Sequence, residues 1–377
     1  MSPKILWLHR QSSAVGSYRC LGPAKALTKL GYDITCPEKA YSSLKPDLQA
    51  YLSANLGKFD LIMVDRVVKP DELPLFAGFR HASPNTRMVV DFDDDWMNVP
   101  WWNQSHGNYK PGNMIYESGK SHLKLSEMVS VSTPTLAERF KDKTHAIMCV
   151  ENGIDPDLWD NLPVNPERAG DPSLRVLYGG ASGHFGDMDE ARLGLETVLE
   201  NPPVPFRLIC FGATPSWIYD ISKKYPGRII RLPCVEFEDY PQAIAWGGFD
   251  VAIAPLADHV FNEAKSNIKW LEAGIQKIPF LCSDIGPYQS IPRGCAIKVS
   301  NTPVQWAEGL SALLTDANLR NNLRTQAYEA VQDTGTVDKT AKRWQVLIEE
   351  AMARPRIETL EDTRLPSEIL PEPNSDG

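Results

Sequence analysis

Short apolar runs alternate with amphipathic stretches along almost the whole chain. The runs read as strands. They are Lys4–Leu8, Asp33–Thr35, Leu61–Val64, Met88–Asp91, Val129–Val131 and Ala146–Val150, then Arg175–Tyr178, Phe206–Phe211, Ile229–Leu232, Val251–Ile253, Phe280–Cys282 and Ala296–Lys298. Between them, apolar residues recur at helical spacing over Tyr18–Leu30, with Gly31 as a stop, and over Asp189–Glu200, Pro215–Lys224, Tyr240–Trp246, Ile268–Gln276 and Pro303–Thr315. Alternating strands and helices predict right-handed βαβ units in a parallel sheet, and the pattern runs twice. After Leu319 the chain reads as helix through Trp344 to Ala353.

A chain of 377 residues is too long for one ordinary core, and two domains are expected. The segment Asn161–Ser173 holds three prolines, two acids and a glycine, the composition of a linker. The expected organisation is a first domain over 1–162, a linker over 163–173 and a second domain over 174–335. A helix over 336–353 is expected to return to the first domain, followed by an unstructured Pro/Glu/Asp-rich tail over 354–377.

Composition excludes several classes. Apolar residues make up 42% and charged residues 23%, as in a folded soluble protein. Seven widely spaced cysteines form no CxxC pair, so neither a disulfide scaffold nor a structural zinc site is expected, and the cytoplasm is the expected location. The run Ile5–Leu8 is too short for a signal-peptide core, and no stretch approaches the roughly 20 apolar residues of a membrane span. A net charge of −9 provides no overall attraction to nucleic acid or anionic lipid.

The segment Val251–Tyr288 carries the sharpest chemical signal. A strand ends at Ala254-Pro255-Leu256, a polar loop follows, and a helix begins near Asn267. A helix start offers unpaired N–H groups and a positive dipole end, which suit a phosphate. Lys265 adds a charge there, Ser266 adds a hydroxyl at an N-cap-like position, and the backbone of Ser266, Asn267 and Ile268 supplies donors. Lys265, Ile268, Lys269 and Glu272 share one helical face. Glu272 lies about five residues into the helix, roughly 7.5 Å from its start. That is about the offset between a diphosphate and its ribose, whose hydroxyls a carboxylate can accept. The ordinary alternative is an amphipathic helix with solvated lysines.

This segment resembles the C-terminal signature of retaining GT-B glycosyltransferases (group 1, glycosyltransferase family 4-like), Glu-x7-Glu followed by Ala-x-x-x-Gly-x-Pro. Glu272, Ala273 and Pro279 match; Lys277 stands at the glycine, Ala264 at the first glutamate, and Glu263 one residue early. A bacteriophage-type subgroup is closer, with Phe261-Asn262, Lys265-Ser266, Lys269 and Glu272 at Phe-Asn-x-x-Lys-Ser-x-x-Lys-x-x-Glu. The resemblance implies a GT-B fold: α/β, with two doubly wound Rossmann-like domains facing a central cleft. It implies transfer of a sugar from a nucleotide-diphosphate sugar to an acceptor hydroxyl, with retention and without metal or cofactor. Lys265 and Ser266 are then the diphosphate end, with Asn262 or Glu263 at the sugar hydroxyls. The acceptor is either a modified DNA base or a glycan, lipid-linked sugar or protein.

Other strand ends supply further candidates. The run Val176–Asp187 leads into a loop with four glycines; Gly180, Ser182, His184 and Asp187 are candidates for the donor, or else a turn with Asp187 as a cap. No Gly-Lys-Ser/Thr ends the loop, so it is not a Walker loop. Asp93 and Asp94, in the acidic run Asp91–Asp95, are candidates for orienting the acceptor hydroxyl or donor sugar. The alternatives are solvated surface acids, or the metal-holding Asp-x-Asp of a single-sheet GT-A transferase. Gly16 and Arg19 open the first helix near the expected donor phosphate, or simply initiate that helix, and Asp65-Arg66 forms a similar strand-end pair. The run Trp96–Tyr116 is rich in Trp and Tyr and is either an acceptor platform or a packed hydrophobic lid. Catalysis is therefore expected of Asp93, Asp94, Lys265 and Glu263. A nucleotide-sugar epimerase and a non-catalytic nucleotide-sugar-binding module are the rival readings.

Overall fold

The apolar runs pair into two six-stranded sheets, all of them parallel, in a computed structural model that describes residues 2–357 apart from 11, 12, 45, 46 and 67. The described residues divide into two compact units: those within 1–99, 107–152 and 340–357, and those within 100–106 and 153–339.

In the first unit the strands are β1 (Lys4–Leu8), β2 (Asp33–Thr35), β3 (Leu61–Asp65), β4 (Arg87–Phe92), β5 (Met128–Val131) and β6 (Ile147–Cys149). Their order is β2-β1-β3-β4-β5-β6. Strand β3 is buried from end to end, as a parallel strand covered on both faces must be, whereas the edge strand β2 has only three residues. Because the chain leaves β1 in one direction and returns at β3 in the other, the loops after these two strands part and open a crevice at the sheet's C-terminal edge.

The expected single helix over Tyr18–Leu30 is instead three joined pieces. A turn over Ala14–Gly16 runs into a π-helical stretch, Ser17–Leu21, and then into the α-helix Gly22–Lys29. The π-turn widens the helix where Arg19 and Cys20 are buried. Gly31, at φ +90°, ends it in a Schellman motif, with Tyr32 N–H on the Leu27 carbonyl and Gly31 N–H on that of Thr28.

The last helix, Val337–Ala353, turns Ala341, Trp344, Leu347, Ile348 and Ala351 inward at helical spacing. Trp344 meets Trp7 of β1 edge-on at 4.9 Å. The chain stays attached beyond it. Arg356 donates to the carbonyls of Pro84 and Arg80, at 2.5 and 2.6 Å, and Ile357 N–H donates to Glu127. Residues 354–357, placed by composition in an unstructured tail, are thus held by backbone and carboxylate acceptors. The remainder of that expected tail, 358–377, lies outside the described residues.

In the second unit the strands are β7 (Leu174–Gly180), β8 (Phe206–Gly212), β9 (Ile229–Leu232), β10 (Val251–Ala254), β11 (Phe280–Ser283) and β12 (Ile297–Val299). The order β12-β11-β10-β7-β8-β9 is that of a doubly wound dinucleotide fold, with its switch point between β7 and β10. Val176, Leu208, Cys210, Trp306 and Leu310 are among the residues of its core. The segment 163–173 is anchored to this unit: Arg168 donates to the Gly248 carbonyl at 2.9 Å and pairs with Asp250.

Candidate functional site

The helix Ile268–Ile275 is set by its apolar face. Trp270, Leu271, Ala273, Gly274 and Ile275 are buried, and Gly274 lies against Val331 and Ala327 of the helix Ala317–Thr334. That packing turns the other face outward, so Lys265, Ser266, Asn267, Ile268, Lys269 and Glu272 are all half-buried. Asn267 precedes the helix and makes no side-chain cap. The first N–H groups of any helix lack intrahelical acceptors, which leaves this start suited to an anion.

Lys269 reaches from the first turn to the end of β7, where its Nζ donates to the Gly179 carbonyl at 3.0 Å. Its pKa is lowered to about 8, first by burial and also by the positive charge of Lys265, against the opposing pull of Asp187 and Glu272. Lys265 Nζ stands 4.5 Å from the centre of the Phe261 ring. One turn past Lys269, Glu272 lines a cavity of about 30 Å³ with Gly179, Tyr240, Trp159 and Lys269. The missing side chain of Gly179 makes room there: a methyl group on it would lie 2.8 Å from the Tyr240 hydroxyl oxygen.

The glycine-rich loop after β7 faces this helix across the switch point. His184 ends its short 3-10 turn, Ser182–His184, and its Nδ1 is 2.7 Å from Asp187 Oδ2. Burial, then the charges of Lys269 and Lys265, lower the His184 pKa to about 4. The ring is therefore neutral at pH 7 and donates from Nδ1 to the carboxylate. Asp187 is itself buried and also accepts from Ala257 N–H at 3.0 Å and from Asn262 Nδ2 at 2.6 Å. Burial raises its pKa, but the His184 bond and the nearby cations outweigh that and hold the carboxyl below the usual range.

Asn262 departs from the sequence expectation. It is 1% exposed, and its amide nitrogen is committed to Asp187 and to the Ala257 carbonyl, so it ties two loops together instead of presenting donors outward. Glu263, next in the chain, is exposed. Gly180 and Ser182 lie where β7 passes into the loop, and a methyl group on Gly180 would strike the Tyr178 hydroxyl.

In the first unit, the acidic run separates into inner and outer members. Asp91 is buried and takes two bonds from Arg19, at 2.9 and 2.6 Å, and one from Ser130. Asp95 is buried under Arg139 and Asn98. Asp93 and Asp94 are half-buried and bridged by Arg66, whose Nη2 donates to Asp94 at 3.1 Å and whose Nε is 3.7 Å from Asp93. Arg66 adopts φ +54°, rare for an arginine, and its N–H donates to the Asp91 carbonyl. Burial raises the Asp93 pKa to about 6, and the Arg66 charge opposes it. Burial likewise raises Asp65, at the end of β3, to about 8 against the bond from Arg10 N–H.

Arg19 is the second departure. It is fully buried; beyond Asp91 it donates to the Val150 carbonyl and to Asn152, and its guanidinium lies 4.9 Å from the centre of the Trp344 ring. Its donors are committed inside the fold, so it cannot meet a phosphate without breaking that network. Gly16 is buried in the preceding turn.

Sequence reasoning passed over Tyr240 and Trp159 as walls of the Glu272 cavity. Neither carries a local signal, since one begins an amphipathic helix and the other ends a short turn.

No family model matches this sequence, and no curated protein is significantly similar to it. Solved structures are similar in fold. Sucrose-phosphate synthase from Thermosynechococcus elongatus superposes with a TM-score of 0.68 at 15% identity, over 93% of this chain and 99% of that one. The Anabaena protein HepE, solved with UDP and glucose, gives 0.63 at 14% identity, over 92% of this chain and all of that one. The pneumococcal O-GlcNAc transferase GtfA, solved with UDP and GlcNAc, gives 0.56 at 16% identity, over 81% of this chain and 60% of that one. With its two Rossmann-like units, the chain has the α/β fold of the GT-B class, and the second six-stranded sheet sets aside the single-sheet GT-A alternative.

Proposed function

We propose that this chain is a glycosyltransferase that binds a nucleotide-diphosphate sugar at the switch point of its second unit. One observation carries the reading: Lys265 and Lys269, at the start of the helix Ile268–Ile275, stand near enough to His184 to help keep it neutral, Lys269 donates to the Gly179 carbonyl, and Glu272 lies one turn further along the same face. The diphosphate rests against that helix start and the two lysines. The Glu272 carboxylate accepts from the ribose hydroxyls. As the sugar departs, negative charge grows on the diphosphate, and pre-oriented cations and N–H groups stabilise it more than they stabilise the bound donor. His184, steadied by Asp187, is placed to take up a proton as that charge approaches. HepE and GtfA, of the same fold class, were solved with UDP, which supports a uridine nucleotide as the first donor to test.

Retention and metal independence rest on the resemblance of the 261–272 motif. Asp93 and Asp94 are proposed for the acceptor hydroxyl because they are half-buried where Asp91 and Asp95 of the same run are buried. The acceptor is a hydroxyl of a modified DNA base or of a glycan, and mass spectrometry of DNA and glycans from producing cells separates these. The test of the site is Glu272→Ala and Lys265→Ala. Each should lower turnover with UDP-sugars by on the order of a hundredfold while leaving the melting temperature in place. Near-normal rates in both variants would remove the assignment.

A further inference from the structure

Residues 100–106 belong to the second unit, although residues of the first flank them in sequence. Their contacts are specific. The Trp102 ring stands over Gly186, where a methyl group would lie 2.6 Å from a ring atom. Its other neighbour is His259, whose ring centre is 5.2 Å away, edge-on at 71°. The Asn103 side chain lies against Gly183, where a methyl group would be 2.9 Å from Nδ2. Asn103 is pre-set for this contact, because its Oδ1 accepts from Ser105 N–H at 2.9 Å. Gly183 and Gly186, the two glycines between β7 and Asp187, thus admit this segment.

Gly186 and His259 lie on different segments. The first belongs to the short helix Phe185–Asp189 that follows the His184 turn. The second caps the turn Val260–Glu263 by accepting from Phe261 N–H at 3.1 Å, and so leads to Lys265. Asp187 is the polar tie between the same two segments. We propose that Trp102 is a second, aromatic tie: a positioning residue that clamps the His184 loop to the loop carrying Lys265, so that the cations stand at a fixed spacing before a diphosphate arrives. The indole lies between a glycine and an imidazole of the two segments, and pre-set cations bind an anion with less ordering on association. The inference rests on the proposed nucleotide site.

Calorimetry with UDP tests it on the full chain. Trp102→Ala should weaken UDP binding about tenfold, and Trp102→Phe should stay within about threefold of wild type. Gly186→Ala pushes a methyl into the indole and should weaken binding similarly, but should add little in the Trp102→Ala background, where the indole is gone. Wild-type affinity in Trp102→Ala, or an equal Gly186→Ala loss in both backgrounds, overturns the proposal. Should Trp102→Ala fail to fold, Gly186→Ala alone decides, since unchanged UDP affinity would refute the clamp. If wild type itself binds no UDP, the nucleotide reading fails, and amide exchange in the free protein decides the clamp separately. Faster exchange over residues 181–187 and 259–263 in Trp102→Ala supports it, and unchanged exchange overturns it.

Discussion

Lys269 is the residue whose chemistry is most exposed to test. Burial and the neighbouring Lys265 lower its pKa to about 8, so it loses its proton within the working range of most assays. A protonated lysine attracts a diphosphate and a neutral one does not, so nucleotide affinity should fall as pH rises through about 8. By linkage, the bound nucleotide should raise that pKa. Titrating UDP between pH 7 and 9 should show this slope in wild type, and Lys269→Met should flatten it. A slope that persists in the variant would assign the proton to another group. His184 contributes little in that window, because its own pKa lies near 4 in the free protein. The same residue scale shows what the sequence could not reveal about polar groups. Arg19 and Asn262 look like ligand contacts in a string of letters, yet both are closed off by partners, and Arg19 finds Asp91 72 positions away.

At the scale of elements, the helices fit because small residues sit where two backbones come close. Gly194, in the helix Arg192–Glu200, faces the start of the helix Pro303–Thr315: a methyl group there would lie 2.5 Å from Trp306 Cβ and 2.8 Å from the Pro303 carbonyl oxygen. Neither atom is the end of a flexible side chain, so the two helices must move apart. Gly194→Ala should therefore destabilise the second unit by about 1–3 kcal/mol, although alanine is the better helix former. Urea unfolding measures it, and an unchanged midpoint would show that the pair can separate freely. Helix and strand positions themselves were largely legible. Parallel strands buried on both faces leave continuous apolar runs, and all twelve appear within a few residues of their expected limits. The first helix was less legible, because a π-turn alters backbone bonding without changing the apolar spacing that announces a helix.

At the scale of the whole chain, the helix Val337–Ala353 joins the unit that holds the first strand. Trp344 is 1% exposed, lies edge-on to Trp7 and packs beneath the Arg19 guanidinium, so the last helix completes the core of the unit that the first strand began. Trp344→Ala should cost that unit about 3–5 kcal/mol, since it leaves a large cavity and strips a buried guanidinium of its cover. Calorimetry should show the loss as a lower first-unit melting transition, and an unaltered one would refute the packing. The sequence by itself determined the alternation of strand and helix, hence two parallel sheets, and the one-sided array Lys265, Lys269 and Glu272. These follow from spacing over a few residues, where helix and strand periods are read directly. Only the tertiary structure decided how the polar groups are partnered: that Asp93 and Asp94 are half-buried beside Arg66 while Asp91 and Asp95 are buried, that Tyr240 covers Gly179, and that Trp102 lies on Gly186. Those pairings join positions far apart in the chain, and shape and burial select them from many partners that the local pattern allows equally.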